Sequence, residues 1–494
     1  MSRLQPILCG FLLYPLSLIT QEIHSHTAPE KLGTVSFPIS CASGVQQEFN
    51  RGVALLHSFA YRAAERSFRA VEQQDSHCAM AHWGIAMTHF YQLWDPPLVP
   101  SSIPIGETEI QRARGLGEGS ERERRFINAL ASIYERASAV LYATRLSTYE
   151  RAMCDLAGDN RPDTEAQVFC ALALLSNASP LDKSHAKQKK AAQILEPLSQ
   201  VYPQHPGIFH YLIHAYDNAE LAPRGSSAAR AYSKIAPSVP HALHMPSHIF
   251  TRLGQWDDSI ASNIAAQKAA HEQGDLEEEL HAMDYLVYAY LQCGRYSETA
   301  QILAQLRSMS KLDVRNFKVG YAATAMPVRY AVERKQWAEA ANLVSPTGAP
   351  PEVVAIAVWA RGVGRGRTGR IAEARAEAET LRSLREKLHT AGNEYWATQV
   401  KIFRREVMAW IAQAAKQPDS AVAWMREAAD EEDAIEKLPV TPGPIVPARE
   451  QLGYLFLKQH QPCLAANEFR TALALAPGRR GALNGASQAT ELCH

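Results

Sequence analysis

Three histidines and two prolines fall within Pro240–Phe250, PHALHMPSHIF, in a chain otherwise rich in alanine. His241, His244 and His248 are three and four residues apart, so on a helix they share one stripe. His210 and His214 stand four apart in HYLIHAYD, and His281, Asp284 and Tyr288 repeat the three-and-four spacing in HAMDYLVY. Neutral imidazoles one turn apart can chelate a transition metal while adjacent helices supply further ligands. A set rich in imidazole and free of thiolate suits Zn²⁺ or Cu²⁺, whereas Mg²⁺ and Ca²⁺ prefer oxygen. The expected chemistry is a copper or zinc site held by His210, His214, His244 and His248, with His57 of LLHSF reaching it from a distance. Asp217, one turn after His214, and Asp284 suit either ligation or the orienting of a histidine through its second ring nitrogen. Met245 would soften a copper site, but it points off the stripe.

The elements that must carry these side chains can be read from landmarks in the sequence. Counting back thirteen, ten and six positions from Gly254 gives His241, His244 and His248, and the same offsets from Gly294 give His281, Asp284 and Tyr288. Tyr216 holds the place of Phe250 and Tyr290, so His210 and His214 fall where His244 and His248 fall. Three successive first helices thus present ligand-capable residues at equivalent positions. Pro240 fits the first turn of a helix, but Pro246 would remove an internal hydrogen bond from a helix already running through it. Either the helix bends beside the histidines, or it begins later and leaves His241 and His244 on a loop.

The same plan recurs in FNRGVALLHSFAYRAAERSFRAVEQQDS, IFTRLGQWDDSIASNIAAQKA, YLVYAYLQCGRYSETAQILAQLRSM, YAVERKQWAEAANL, RGRTGRIAEARAEAETL and YLFLKQHQPCLAANEFRTALALAP. An apolar helix ends at glycine or a polar stand-in, an aromatic or aliphatic residue follows, and a second helix opens with small residues. Alanine lets two helices approach closely while the aromatic plugs the corner. In this pattern the chain resembles the tetratricopeptide repeat family, over five or six units between about residues 45 and 480. The segments GTVSFPISC, CAMAHWGIAM, PHALHMPSHIFTRLGQW and TPGPIVPAREQLG add a resemblance to a group of exported bacterial tetratricopeptide proteins.

The resemblance implies an all-α fold, a right-handed superhelical α-solenoid of helical hairpins. It also implies that the stripe of each first helix lines a concave groove where peptide or protein segments, or small ligands, bind. The groove wall would comprise the histidines above together with His241, His281, Asp284, Tyr288 and Asp217. Arg329 could reach an anionic ligand there, although a structural ion pair is the commoner fate of such an arginine. Trp83, Met87 and Phe90 read as packing between helices, and EEDAIEK (431–437) as a solvated face.

At 494 residues the chain suits about three domains or one repeat array. Lys+Arg and Asp+Glu are equal at 51, so no basic field exists to attract nucleic acid. Residues 1–20 carry Arg3 and an apolar stretch from Pro6 to Ile19, the pattern of a signal peptide and too short and proline-broken for a comfortable membrane span. Leu8 before Cys9 argues against a lipid anchor. The mature protein is therefore expected to be exported, periplasmic or secreted, without an integral membrane segment. Residues 21–44 form an N-terminal segment, 45–94 the first hairpins, and 95–121 a proline, glycine and charge-rich linker. Residues 122–436 form the histidine-bearing array and 437–494 a capping unit. Export permits disulfides, and without Cys9 the cysteines number seven. Cys41–Cys78 is the favoured bridge; Cys154–Cys170 and Cys463–Cys493 are as readily small buried hydrophobes.

HYLIH has tyrosine where the zinc-protease helix carries glutamate, and neither a nucleophile elbow nor a phosphate loop is present. Three readings follow. The leading one is a ligand-binding solenoid with a histidine-coordinated transition metal in its groove. The second is a copper- or zinc-dependent enzyme, oxidoreductase or hydrolase, using the same cluster. The third is a metal-free interaction scaffold.

Overall fold

The computed structural model describes residues 30–94, 99–117, 119–159 and 162–493. The signal peptide expected over residues 1–20 lies outside the described residues. Among those described, α-helices joined by short turns follow one another and no strand occurs. Most pair with their successors as antiparallel hairpins, such as Gln46–His57 with Tyr61–Gln74, Pro206–Tyr216 with Ala222–Ile235, and Leu276–Cys293 with Tyr296–Ser308. First helices then pack on first helices: Leu276–Cys293 on Phe317–Glu333, and that on Pro351–Arg367. This is an all-α helical-repeat fold of stacked hairpins.

The corner chemistry read from the sequence explains the hairpins. Gly254 and Gly294 end their helices at φ +68° and +72°, the left-handed region that glycine enters without steric cost. The polar stand-ins Lys335, Lys416 and His460 adopt the same conformation at +58°. Small residues permit close approach, since a Cβ on Gly84 would lie 2.4 Å from the Phe68 ring. Trp83, Met87 and Phe90 are buried in the first core, where Phe37 of the N-terminal segment packs edge-on or tilted against Phe49, Trp83 and Phe126 at 4.9–5.4 Å between ring centres.

Two segments depart from the sequence reading. The stretch 95–121 is not wholly a linker, because Ser102–Gly115 is a helix. Pro104 sits in its first turn, where a missing N–H costs nothing, and Gly106 accepts the Tyr134 ring. EEDAIEK (431–437) is not a solvated face. Glu432 accepts from the Ala448 N–H at 2.7 Å, and Lys437 reaches Asp217 at 2.7 Å. From there residues 436–446 run along the first helices of several hairpins. Glu436 N–H donates to the Pro180 carbonyl at 2.8 Å, and Arg329 donates to the Gly443 and Pro444 carbonyls at 3.2 Å. The terminal unit accordingly reaches back to the array: Arg479, fully buried, donates to Tyr288, Glu333 and Glu450 at 2.7–3.0 Å.

Cysteines 41 and 78, 154 and 170, and 463 and 493 form disulfides with Cα separations of 5.0, 4.7 and 5.0 Å. Cys293 is a free thiol. No helix among the described residues is long and apolar enough to cross a membrane.

Candidate metal centre

Both alternatives for Pro246 are partly realised. Helix Pro240–His244 and helix Pro246–Arg252 are separated at Met245, and each proline occupies a first position. His241 and His244 stay helical, one short helix before His248. Together with Pro206–Tyr216 and Leu276–Cys293, these helices bring six histidines into contact. The ligand-capable nitrogens of His210, His214 and His241 lie within 4.8 Å of one another, as do those of His244, His248 and His281. The two groups abut: ring centres of His241 and His244 are 6.0 Å apart, as are those of His214 and His248.

Hydrogen bonds fix which nitrogen each ring presents. Nδ1–H of His210 donates to the His57 carbonyl at 2.6 Å, and Nδ1–H of His248 to Asp217 Oδ2 at 2.9 Å. His244 donates from Nδ1 to Asn263 Oδ1 at 2.6 Å, with the amide held in that orientation by its own NH₂ donating to the Ser259 carbonyl. His241 Nδ1–H points to Glu278 Oε2 at 3.3 Å. Each of these rings therefore turns an unprotonated Nε2 inward, the tautomer that ligates metal, and an oxygen on the far side is the usual support of a ligating imidazole. Inside the cluster, Nε2 of His244 faces Nε2 of His248 at 3.0 Å. With both Nδ1 atoms donating, two lone pairs point at each other across that gap. Nitrogens about 2.0–2.1 Å from one ion stand roughly 3.0–3.4 Å apart, so a shared cation turns this contact from repulsive to bonding. His210 and His214 also approach Nε2 to Nε2 at 3.1 Å, where His214, whose Nδ1 has no acceptor, can donate from Nε2 when no ion is bound. Nε2 of His241, Nε2 of His281 and Nδ1 of His214 are buried without a protein partner.

Burial, reinforced by neighbouring imidazoles, holds His210, His214, His244 and His281 well below the ordinary histidine pKa. His248 is lowered to about 4, burial outweighing Asp217. Neutral rings are the form that binds metal. Asp217 is itself held well below the carboxylate range, because Lys437 and Arg252 overcome the effect of its burial. Phe59, Leu93, Trp94, Met245 and Pro439 close the cluster with an apolar shell around a cavity of about 10 Å³, the space of one small atom. Met245, although off the stripe, thus borders the site.

The other sequence-predicted residues are placed differently. His57 does not join the six; its side chain belongs to a separate group with Glu165 and His205. Gln46–His57 delivers only the His57 carbonyl to His210, while the ring turns the other way. His57 Nε2–H donates to Glu165 Oε2 at 2.9 Å, and its Nδ1 accepts from Tyr211 at 2.9 Å. His205 Nε2–H donates to Glu165 Oε1 at 3.0 Å, and its Nδ1 accepts the Ile208 N–H. Asp284 and Tyr288 also turn away. At about 100° and 1.5 Å per residue, Asp284 lies roughly 60° round the helix from His281 on the side away from Tyr285, and Tyr288 shares the His281 stripe but stands about 10 Å further along the axis. There Asp284 pairs with the buried Arg329 at 3.1 Å, and Tyr288 accepts from Arg479. Arg329 therefore has the structural ion pair that competes with an anion-binding role. Asp217 orients His248, whereas His241 and His281, assigned from sequence to ligand binding, complete the two groups.

Sequence reasoning missed Tyr285, Asn263 and Glu278 around the cluster. Tyr285 lies one turn after His281 and was legible by spacing. Asn263 and Glu278 carried no local signal, since they come from the second helix of one hairpin and the start of the next. A further cavity of about 140 Å³ remains beside residues 436–446, lined in part by Arg252, Tyr321, Trp396 and Lys437.

No protein-family model and no curated relative matches the chain. Solved structures with a similar arrangement include a human IFIT1 dimer with m7Gppp-AAAA, at 10% identity over 89% of this chain and 95% of that one, with a TM-score of 0.38. The tetratricopeptide domain of P58(IPK) matches at 12% identity over 91% and 98%, with a TM-score of 0.22.

Proposed function

We propose that this is an exported helical-repeat protein that binds a transition metal, copper or zinc, through its buried histidine cluster. The observation that carries the reading is the 3.0 Å approach of two Nε2 atoms, on His244 and His248, whose rings both donate from Nδ1. A scaffold whose histidines only bridge helices would not direct two lone pairs at one another. Six imidazoles with no thiolate suit copper or zinc over calcium or magnesium. The three disulfides fit an oxidising compartment. Residues 436–446 already lie along the wall where a peptide would bind, so the 140 Å³ cavity beside them favours a small molecule as the groove ligand.

A second reading, a metal-dependent oxidoreductase or hydrolase, draws on the number of ligands. Each group supplies three protein ligands, the number found in catalytic sites that keep a position open. The test common to both readings is elemental analysis after incubation with copper or zinc and removal of excess metal. Stoichiometric metal in the wild type and a lower metal content in the folded His244→Ala/His248→Ala variant are expected. A metal-free wild type would end the proposal.

A further inference from the structure

The six histidines fall into two groups of three rather than one shell of six, and a single small void borders both. His214 and His241 of the first group and His248 and His281 of the second line the 10 Å³ cavity. We propose that the cluster is a dinuclear centre, one ion on His210, His214 and His241 and a second on His244, His248 and His281, bridged by a monatomic or diatomic anion such as hydroxide. The inference rests on the metal-binding reading above and specifies its stoichiometry and its ligand.

Each group contains one close Nε2 pair, 3.1 Å in the first and 3.0 Å in the second, and each pair is the spacing of two ligands on one ion. Each group also has a third ring, His241 or His281, with a buried Nε2 that has no protein partner. The pattern is thus duplicated: one close pair and one unpartnered imidazole on each side. The ring centres of opposing groups, His214 with His248 and His241 with His244, stand 6.0 Å apart and put the two sets side by side.

Charge selects the bridging ligand. Six neutral imidazoles contribute nothing to offset two divalent ions. The nearby carboxylates are already engaged: Asp217 by Lys437 and Arg252 at 2.7 and 2.8 Å, and Glu278 by Lys318. An anion between the ions supplies the missing charge, and water provides it by binding both ions and releasing one proton to solvent, leaving hydroxide. The size of the void and its Phe59, Trp94 and Met245 walls exclude anything larger than a few atoms.

The test uses the full-length protein loaded with Cu²⁺ and freed of excess metal. Two copper ions per chain are expected, with an electron paramagnetic resonance intensity far below two spins, because bridged Cu²⁺ ions couple. Fluoride or cyanide should alter the optical spectrum by replacing the bridge. His241→Gln and His281→Gln should each retain about one copper per chain with an intensity near one spin, and far-ultraviolet circular dichroism checks that they fold. The wild-type count and spin intensity decide the matter even if a variant misfolds. One copper per wild-type chain would overturn the dinuclear centre while leaving metal binding intact. Two copper ions at full two-spin intensity would overturn the bridge, and no copper at all would overturn the metal-binding reading itself.

Discussion

Two histidine clusters lie close together in this molecule, joined through the His57 backbone, and they solve burial in opposite ways. In the His57, Glu165 and His205 group every ring nitrogen has a partner of the complementary kind, with one carboxylate accepting from both rings. Such a network is complete as it stands and needs no ion. In the six-histidine cluster the outward nitrogens of His210, His241, His244 and His248 are supported, while the Nε2 atoms of His244 and His248 face one another and those of His241 and His281 have no protein partner. Proximity of histidines is common to both; only the direction of the lone pairs separates the self-satisfied network from the cluster proposed to hold metal.

The largest test of this contrast is metal uptake. His244→Ala/His248→Ala should lower it by removing the ligands of one three-histidine group, whereas His57→Gln and His205→Gln should leave the metal content of purified protein unchanged. Wild-type metal content in the first variant, or loss of metal in the other two, would reverse the assignment. The converse experiment targets Glu165, the common acceptor of its group. Glu165→Ala strands two buried imidazole donors and should cost about 3–5 kcal/mol in denaturant unfolding, with metal stoichiometry retained by the folded protein.

Acid should expose the same carboxylate. Burial opposes its ionisation, but His205 and His57 outweigh burial and hold the Glu165 pKa at about 2. A carboxylate lowered on folding from about 4.3 stabilises the protein above that pH, and the contribution fades as pH falls towards 2. Between these limits about 3 kcal/mol should be lost, and Glu165→Gln should flatten that part of the stability–pH curve. An unchanged slope would show that Glu165 is not the acceptor described. The smallest effect is expected at Asp217, which supports a ring without belonging to either three-histidine group. Asp217→Asn should weaken metal affinity by about 10–100-fold without changing the number of ions bound, as measured by competition with a chelator.

Much of the fold was legible because helical-repeat corners are local. Gly254, Gly294 and the stand-in residues mark left-handed turns, and the residue that follows each plugs its own hairpin, so short-range spacing carries the information. The helix Ser102–Gly115 escaped because Pro104 and Gly106 look like loop formers. Only the Tyr134 ring and the first-turn position of Pro104 make them compatible with a helix. Likewise Lys437, in a charged run, gave no sign that it would cross the array to Asp217.

The candidate site divides in the same way. The sequence alone determined that His210, His214, His241, His244 and His248 occupy repeat-equivalent stripes, because helical periodicity and hairpin landmarks fix which residues share a face. Only the tertiary structure decided which faces converge. The packing of successive first helices turned His281 inward and Asp284 and Tyr288 towards buried arginines, and it divided six histidines into two groups of three. It also set the ring orientations, through His57 O, Asp217, Asn263 and Glu278 drawn from four different segments of the chain. Those partners are far apart in sequence, and nothing short of the folded chain specifies where a lone pair points.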